Sequence, residues 1–571
     1  MTPPVTLNKV SLLAACAVMA IGAAASTAST AVSARAPRSR IIPVPVITVP
    51  PITADTIRDV TRELSLDSYE GRGPGTPAED KTIAYIVQRF KAAGLQPGNR
   101  GSWLQKVPTV EMTAQNSDGL TVKAGGQTLK FGYGTDMVAG SYRVTPRTQL
   151  TDAPLVFVGY GINAPELGWN DYAGQDMKGK IAVILVNDPD YADADESGLF
   201  KGRRMTYYGR WTYKFEEAAR QGAAGAMIVH DTFPAAYGWQ VINSSWTGPQ
   251  LYTQSANDGM DQTQVNGWIQ KPVAQAVFKA AGQDLAALSA AARNKGFKAV
   301  PLGANASLSF DSAIKRGASN NVIGIQPGKN RASEYVLYTA HWDHLGRCTP
   351  DKTGDDICNG ALDNATGVGA LISLAEANRT VGPAARSQVF LAVTLEESGL
   401  LGSEYYARHP IFPLARTVGG VNMDGVGPGC ASRDVQVTGG DKSDLTRYLA
   451  AAMGAMRLTQ TPEENAERGH YYRSDHFSFA KLGVPMFAVS RGTNWVNGGT
   501  AAGQAAGEDY TQKRYHQPSD QYEPSWTWAG AVQEISLMYR LGRSLAMTSD
   551  WPNWHASDEF RRIRDQSRAG K

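Results

Sequence analysis

Apolar and polar positions divide the chain into stretches with different rhythms. Ile83, Ile86, Val87 and Phe90 share one face of a predicted helix that begins with Glu79 and Asp80 and stops at Gly94. From Leu155 short β-rich runs take over. Residues 155–158 and 181–186 read as strands between Gly- and Asp-containing turns, 215–222 as a helix and 226–229 as a further strand. After about residue 318, strands and helices alternate. Residues 335–340, 388–395, 418–423 and 485–489 have strand character, whereas 367–377, 402–408, 445–456 and 528–545 have helical spacing. Such alternation predicts an α/β fold: a mostly parallel mixed sheet flanked by helices, interrupted by a β-rich insertion at 150–295. Residues 53–149 and 296–548 then form the first and main parts of one domain.

The two ends read differently. Residues 1–34 have the pattern of a secretory signal peptide, with Lys9, an apolar run from Val10 to about Ala25, and small residues up to Ala34. Val32 and Ala34 carry the spacing of a cleavage site, and 23–28 offers an earlier one. The Ala-rich run is a poor spanning helix, so the expectation is an exported protein, periplasmic or extracellular, without stable membrane insertion. Leu13-Ala14-Ala15-Cys16 resembles a lipoprotein cleavage box and makes anchoring at Cys16 the alternative. Residues 35–52, with Pro43, Pro45, Pro50 and Pro51, predict an extended linker, and the polar, basic 549–571 a loose tail.

Composition narrows the function. With 42% hydrophobic residues the 571-residue chain can fill large cores, which excludes disorder throughout. Lys9, Arg35, Arg38 and Arg40 precede any acidic residue, so losing 1–40 turns the formal charge from +3 to −1. That balance, without an aromatic-interleaved basic run, gives no field for wrapping nucleic acid. Cys348 and Cys358 flank a polar loop that an oxidising compartment favours closing as a disulfide, leaving Cys430 free; three reduced thiols are the alternative.

Three predicted strands run directly into ionisable residues: His341-Trp342-Asp343-His344, Glu396-Glu397 and Asn422-Met423-Asp424. Between the first two, Asn359 to Gly367 contains Asp363 and leads into a helix. Open α/β sheets gather ligands at the carboxyl ends of their strands. Bare carboxylates converging there would repel one another without a cation, and carboxylate with imidazole suits zinc.

The segments 341–346, 359–369, 396–403, 421–424 and 515–520 together resemble the di-zinc aminopeptidase family of metallopeptidases, which also includes glutamate carboxypeptidase, glutaminyl cyclase and the transferrin receptor. Residues 156–188 resemble the protease-associated domain inserted in many members. The resemblance implies two Zn2+ ions per chain, one held by His341 and Asp424, the other by Glu397 and His516, with Asp363 bridging them. It implies Glu396 as general acid/base toward a metal-activated water, and Asp343 orienting His341 by accepting its other ring proton. His344 is expected in a structural role. His476 and Tyr515 are candidate substrate contacts, and a cis bond is expected between Asp363 and Asn364. Gly360, Gly367 and Gly369 are expected to relieve crowding around the turn that presents Asp363. The implied activity is an exopeptidase acting on peptide substrates, foremost an aminopeptidase. A glutamate carboxypeptidase-like enzyme is the alternative, for which Arg473 and Arg491 are the residues to inspect; glutaminyl cyclase or a receptor-like binding protein stand further off.

Overall fold

In a computed structural model, residues 42–463 and 465–569 are described. The expected signal peptide, the Cys16 box and most of the expected linker's first half lie outside them. The centre of the catalytic half is four parallel strands in the order Arg386–Val393, Arg331–His341, Thr417–Asn422, Met486–Arg491. Every residue of the first and third is buried, as expected of strands covered on both faces. Antiparallel neighbours close both sides: the end of Val300–Gln326 beside Arg386–Val393, and Asp434–Thr438 beside Met486–Arg491.

Helices cover both faces. Thr366–Val381 and Ala529–Met547 pack on one face with Asp55–Leu64, and all three contribute to one core with Val336, Tyr338 and Phe390 of the sheet. Thr366–Val381 is buried almost all round. A Cβ on Gly369 would come within 3.0 Å of the Ile57 backbone, so only glycine lets the helix Asp55–Leu64 lie this close. On the other face, Tyr406 of Leu401–Arg408 and Phe479 of His476–Ala480 pack against Leu337, Leu391 and Met486.

The strand Val300–Gln326 is 27 residues long and joins two sheets into one. Its first part pairs with Leu120–Ala124 and Arg147–Phe157, its middle with Leu104–Gln115, and its end with the catalytic strands. The smaller half continues through Ile181–Leu185, Gly225–His230 and Val265–Gln270 to Met137–Gly140. This β-rich body therefore draws strands from both sides of 150–295, because the long strand and those at 120–140 supply its other edges. Tyr207 packs against Tyr472, Phe477 and Phe560, and Glu216 pairs with Lys481, so the body grips residues 470–481 of the catalytic half.

The residues after 549 depart from expectation. Trp554, Phe560 and Arg564 are buried, Trp554 Nε1 donates to the Gly483 carbonyl at 2.9 Å, and Arg561–Arg568 is helical. A segment polar on average is pinned by three anchors that its composition conceals. Among the described residues no helix is long and apolar enough to cross a membrane.

Candidate metal centre

The strand order puts the three ionisable ends side by side. Arg331–His341 lies between Arg386–Val393 and Thr417–Asn422, so His341, Glu396-Glu397 and Asp424 emerge from the same edge. Asp363 enters from the turn Ala361–Ala365 at the head of Thr366–Val381, and His516 from just beyond the helix Gly499–Lys513. Gly360 (φ +56°) makes the turn possible, since a Cβ there would lie 2.2 Å from the Asp363 carbonyl and 2.6 Å from the His344 ring. Asp363 and Asn364 are joined by a cis peptide bond. The Asn364 side chain locks the turn in place. It donates to the Met423 carbonyl at 2.9 Å and accepts from the Gly367 and Gly425 amides at 3.0 Å each.

The donor atoms form two groups that share Asp363. His341 Nε2 is 3.3 Å from Asp363 Oδ1 and 3.3 Å from Asp424 Oδ1. His516 Nε2 is 3.3 Å from Asp363 Oδ2 and 3.1 Å from Glu397 Oε2. His341 Nδ1 donates to the Asp343 main-chain carbonyl at 3.1 Å, so in the neutral ring the Nε2 lone pair faces the carboxylates. His516 Nε2 is buried and makes no hydrogen bond. Lone pairs and anionic oxygens meeting this way require a proton or a cation between them. Two donors at about 2.0–2.1 Å from a tetrahedral ion lie about 3.3–3.4 Å apart, which the observed spacings match. The donor set therefore fits zinc. Without a cation the carboxylates hold protons on the imidazoles: despite burial, the adjoining Asp363 and Glu397 carboxylates raise His516 to about 10, and His341 is also raised well above its ordinary value.

The surrounding contacts divide labour among the oxygens. Ser474 Oγ donates to Asp424 Oδ2 at 2.5 Å, leaving Oδ1 for the His341 side. His344 Nδ1 donates to Glu397 Oε1 at 2.6 Å, leaving Oε2 for the His516 side. His344, Asp363 and Glu397 are also close enough to hold an ion. A 2.6 Å separation is nevertheless a hydrogen bond, far shorter than the spacing of two ligands on one tetrahedral ion. Asp363 directs one oxygen to His341 and the other to His516, joining the two groups, and its amide donates to Asp520 Oδ2 at 3.1 Å.

Glu396 stands beside the cluster, and its carboxylate accepts no hydrogen bond from any described residue. Burial raises its pKa well above the usual range; His341 opposes the shift, while Asp424, Asp475 and Glu397 add to it.

Two expected roles need correction. Asp343 Oδ1 is 3.8 Å from His341 Nδ1 and instead accepts the Glu396 amide at 3.2 Å. The backbone, not the carboxylate, takes the ring proton, because the chain turns immediately after the strand. His476 is 1% exposed against the Tyr471 ring, with neither ring nitrogen hydrogen-bonded, so no surface is left to meet a substrate. Tyr515 is 42% exposed and stacked on His516 at 3.9 Å between ring centroids. Cys348 and Cys358 are joined by a disulfide, and Cys430 is free. Sequence reasoning passed over Ser474, Asp520 and Arg72, whose contacts join segments far apart in the chain.

Residues 321–540 match peptidase family M28. A stretch of 117 residues is 32% identical to aminopeptidase YwaD of Bacillus subtilis (strain 168), covering 20% of this chain and only 23% of that protein's length. Among solved structures, an aminopeptidase from Aneurinibacillus sp. strain AM-1 is 21% identical with a TM-score of 0.45, covering 88% of this chain and 95% of the other. BSAP, a zinc aminopeptidase from Bacillus subtilis, is 20% identical with a TM-score of 0.39, covering 89% and 98%.

Proposed function

We propose that this protein is an exported zinc-dependent exopeptidase, specifically an aminopeptidase, that binds two zinc ions per chain. The observation that carries the reading is the pair of donor groups sharing Asp363, each with the spacing of a tetrahedral zinc site. One ion is assigned to His341, Asp363 and Asp424, the other to Asp363, Glu397 and His516. Zinc held there supplies Lewis-acid stabilisation of negative charge and an acidified water.

The chain's own residues do the rest. The free carboxylate of Glu396 takes a proton from the attacking water and returns it to the leaving amine nitrogen. Burial raises its pKa, and cations held beside it would lower it again, which suits a group that gains and loses a proton within one cycle. Asp343 holds the Glu396 backbone, while Ser474 and His344 hold Asp424 and Glu397. Tyr515, exposed on the face of His516, offers an aromatic wall to the substrate. The surplus of carboxylates favours a substrate's free ammonium group over its carboxylate. Arg491 is committed to the Cys430 and Pro428 carbonyls and offers no anchor to a substrate carboxylate, which weighs against the carboxypeptidase alternative. The β-rich body is the protease-associated insertion in this reading, limiting access to the cleft.

Aminoacyl and N-blocked peptide panels, with elemental analysis, test the proposal. Free-amine peptides should be shortened from their N-terminus by protein holding two zinc ions. Cleavage of blocked peptides from the C-terminus, with free-amine substrates untouched, would replace it with the carboxypeptidase reading.

A further inference from the structure

Arg72 lies at the end of the short helical segment Asp67–Arg72, outside every motif that carries the metal ligands. It is 0% exposed, and among the described residues its guanidinium forms no ion pair with a carboxylate. Each of its five N–H groups instead meets a main-chain carbonyl. Nε donates to Trp342 at 2.8 Å, Nη1 to Leu64 at 2.9 Å and Asn359 at 2.5 Å, and Nη2 to Gly360 at 2.8 Å and Asp363 at 3.4 Å. Trp342 sits between His341 and Asp343; Asn359, Gly360 and Asp363 belong to the turn that presents the shared carboxylate. The Arg72 carbonyl in turn accepts the His344 amide, and Asn359 donates to the Ser65 carbonyl, just before the segment, and to Asp67 within it. A Cβ on Gly71 (φ +66°) would strike the Gly346 and Cys358 carbonyls, so the segment is wedged against the disulfide hairpin as well.

Burying a cation without a contacting anion is costly and needs a return elsewhere in the structure. Here one rigid fork ties the strand end bearing His341 to the turn bearing Asp363. Lysine has three donors on a flexible stem and cannot reproduce that pattern. We propose that Arg72 is a positioning residue of the metal centre, setting the His341–Asp363 gap before any ion binds. Burial lowers its pKa to about 10, against the field of Asp520, Asp363, Asp343 and Glu397, so it stays charged at neutral pH and offsets their repulsion.

The proposal rests on the metal-centre reading. A wild-type chain that binds no zinc would sink that reading, whereas the outcomes below bear on Arg72 alone. Hydrogen exchange on the wild-type full chain, zinc-loaded and chelator-stripped, should find peptides spanning 340–345 and 358–365 protected to within about threefold in both forms. Free exchange of both segments after stripping would overturn the proposal, since the metal rather than the arginine would be holding them. In Arg72→Lys, those two segments should exchange at least tenfold faster in the stripped form, with the rest of the sheet unchanged. Chelator competition should give at least tenfold weaker binding of one zinc, and kcat should fall at least tenfold with KM within threefold. Two zinc ions bound at wild-type affinity in folded Arg72→Lys would equally overturn it. Should that variant not fold, the wild-type exchange comparison decides alone.

Discussion

Glu396→Gln separates proton transfer from metal binding. All four donor separations of 3.1–3.3 Å run among His341, Asp363, Asp424, Glu397 and His516, and Glu396 takes part in none. Its backbone amide, which remains in the variant, supplies the contact to Asp343. Two zinc ions per chain should therefore persist. The substitution keeps the side chain's size and removes a charge that Asp424, Asp475 and Glu397 repel, so the metal-free protein should be no less stable than wild type. A positioned general base contributes about 10²–10⁴ in rate, so kcat should fall by that factor, about 3–5 kcal/mol of transition-state stabilisation. KM should change little. The assay is steady-state hydrolysis of an aminoacyl anilide alongside elemental analysis of the same preparation. Full activity would refute Glu396 as base, and loss of zinc would refute its separation from the ligand set.

Asp363→Asn removes the carboxylate common to both groups, and elemental analysis should find fewer than two zinc ions per chain; two at wild-type affinity would contradict the bridge. Phe560→Ala deletes a ring that Tyr207, Phe477 and Trp554 surround, at a cost of about 3–5 kcal/mol. In a chain of this size that lowers Tm by about 3–5 °C, and an unchanged Tm would restore the loose tail. Buried His476 is lowered to about 4, below its unfolded value of about 6.5, so the unfolded state binds the extra proton between those limits. Stability from this group is whole above pH 6.5 and declines as pH falls toward 4, by about 2 kcal/mol at pH 5. Urea midpoints should drop less in His476→Gln than in wild type between pH 7.5 and 5; parallel decline would remove His476 from the acid response.

Much of the catalytic half is legible in the linear chain because each element announces itself locally. The helix expected at 445–456 is observed at Leu445–Met456, and the four apolar runs become adjacent strands, three of whose ends carry the acids and histidines. Runs buried on both faces must be continuously apolar, and ionisable residues at their ends stand out by contrast. The β-rich body was harder to delimit. The partners of 120–124 and 147–157 lie in 300–311, and strand pairing across such separations leaves no local signature.

Residue type and order along the chain thus determined the α/β alternation and the set of side chains suited to zinc. Tertiary structure decided which oxygen of each carboxylate stays free, that the Asp343 backbone rather than its side chain holds His341, and that Arg72 ties the two loops together. The physical reason is directional reach. A hydrogen bond is made or lost over a few tenths of an ångström, and only the folded backbone places residues 72, 342 and 360 within that tolerance.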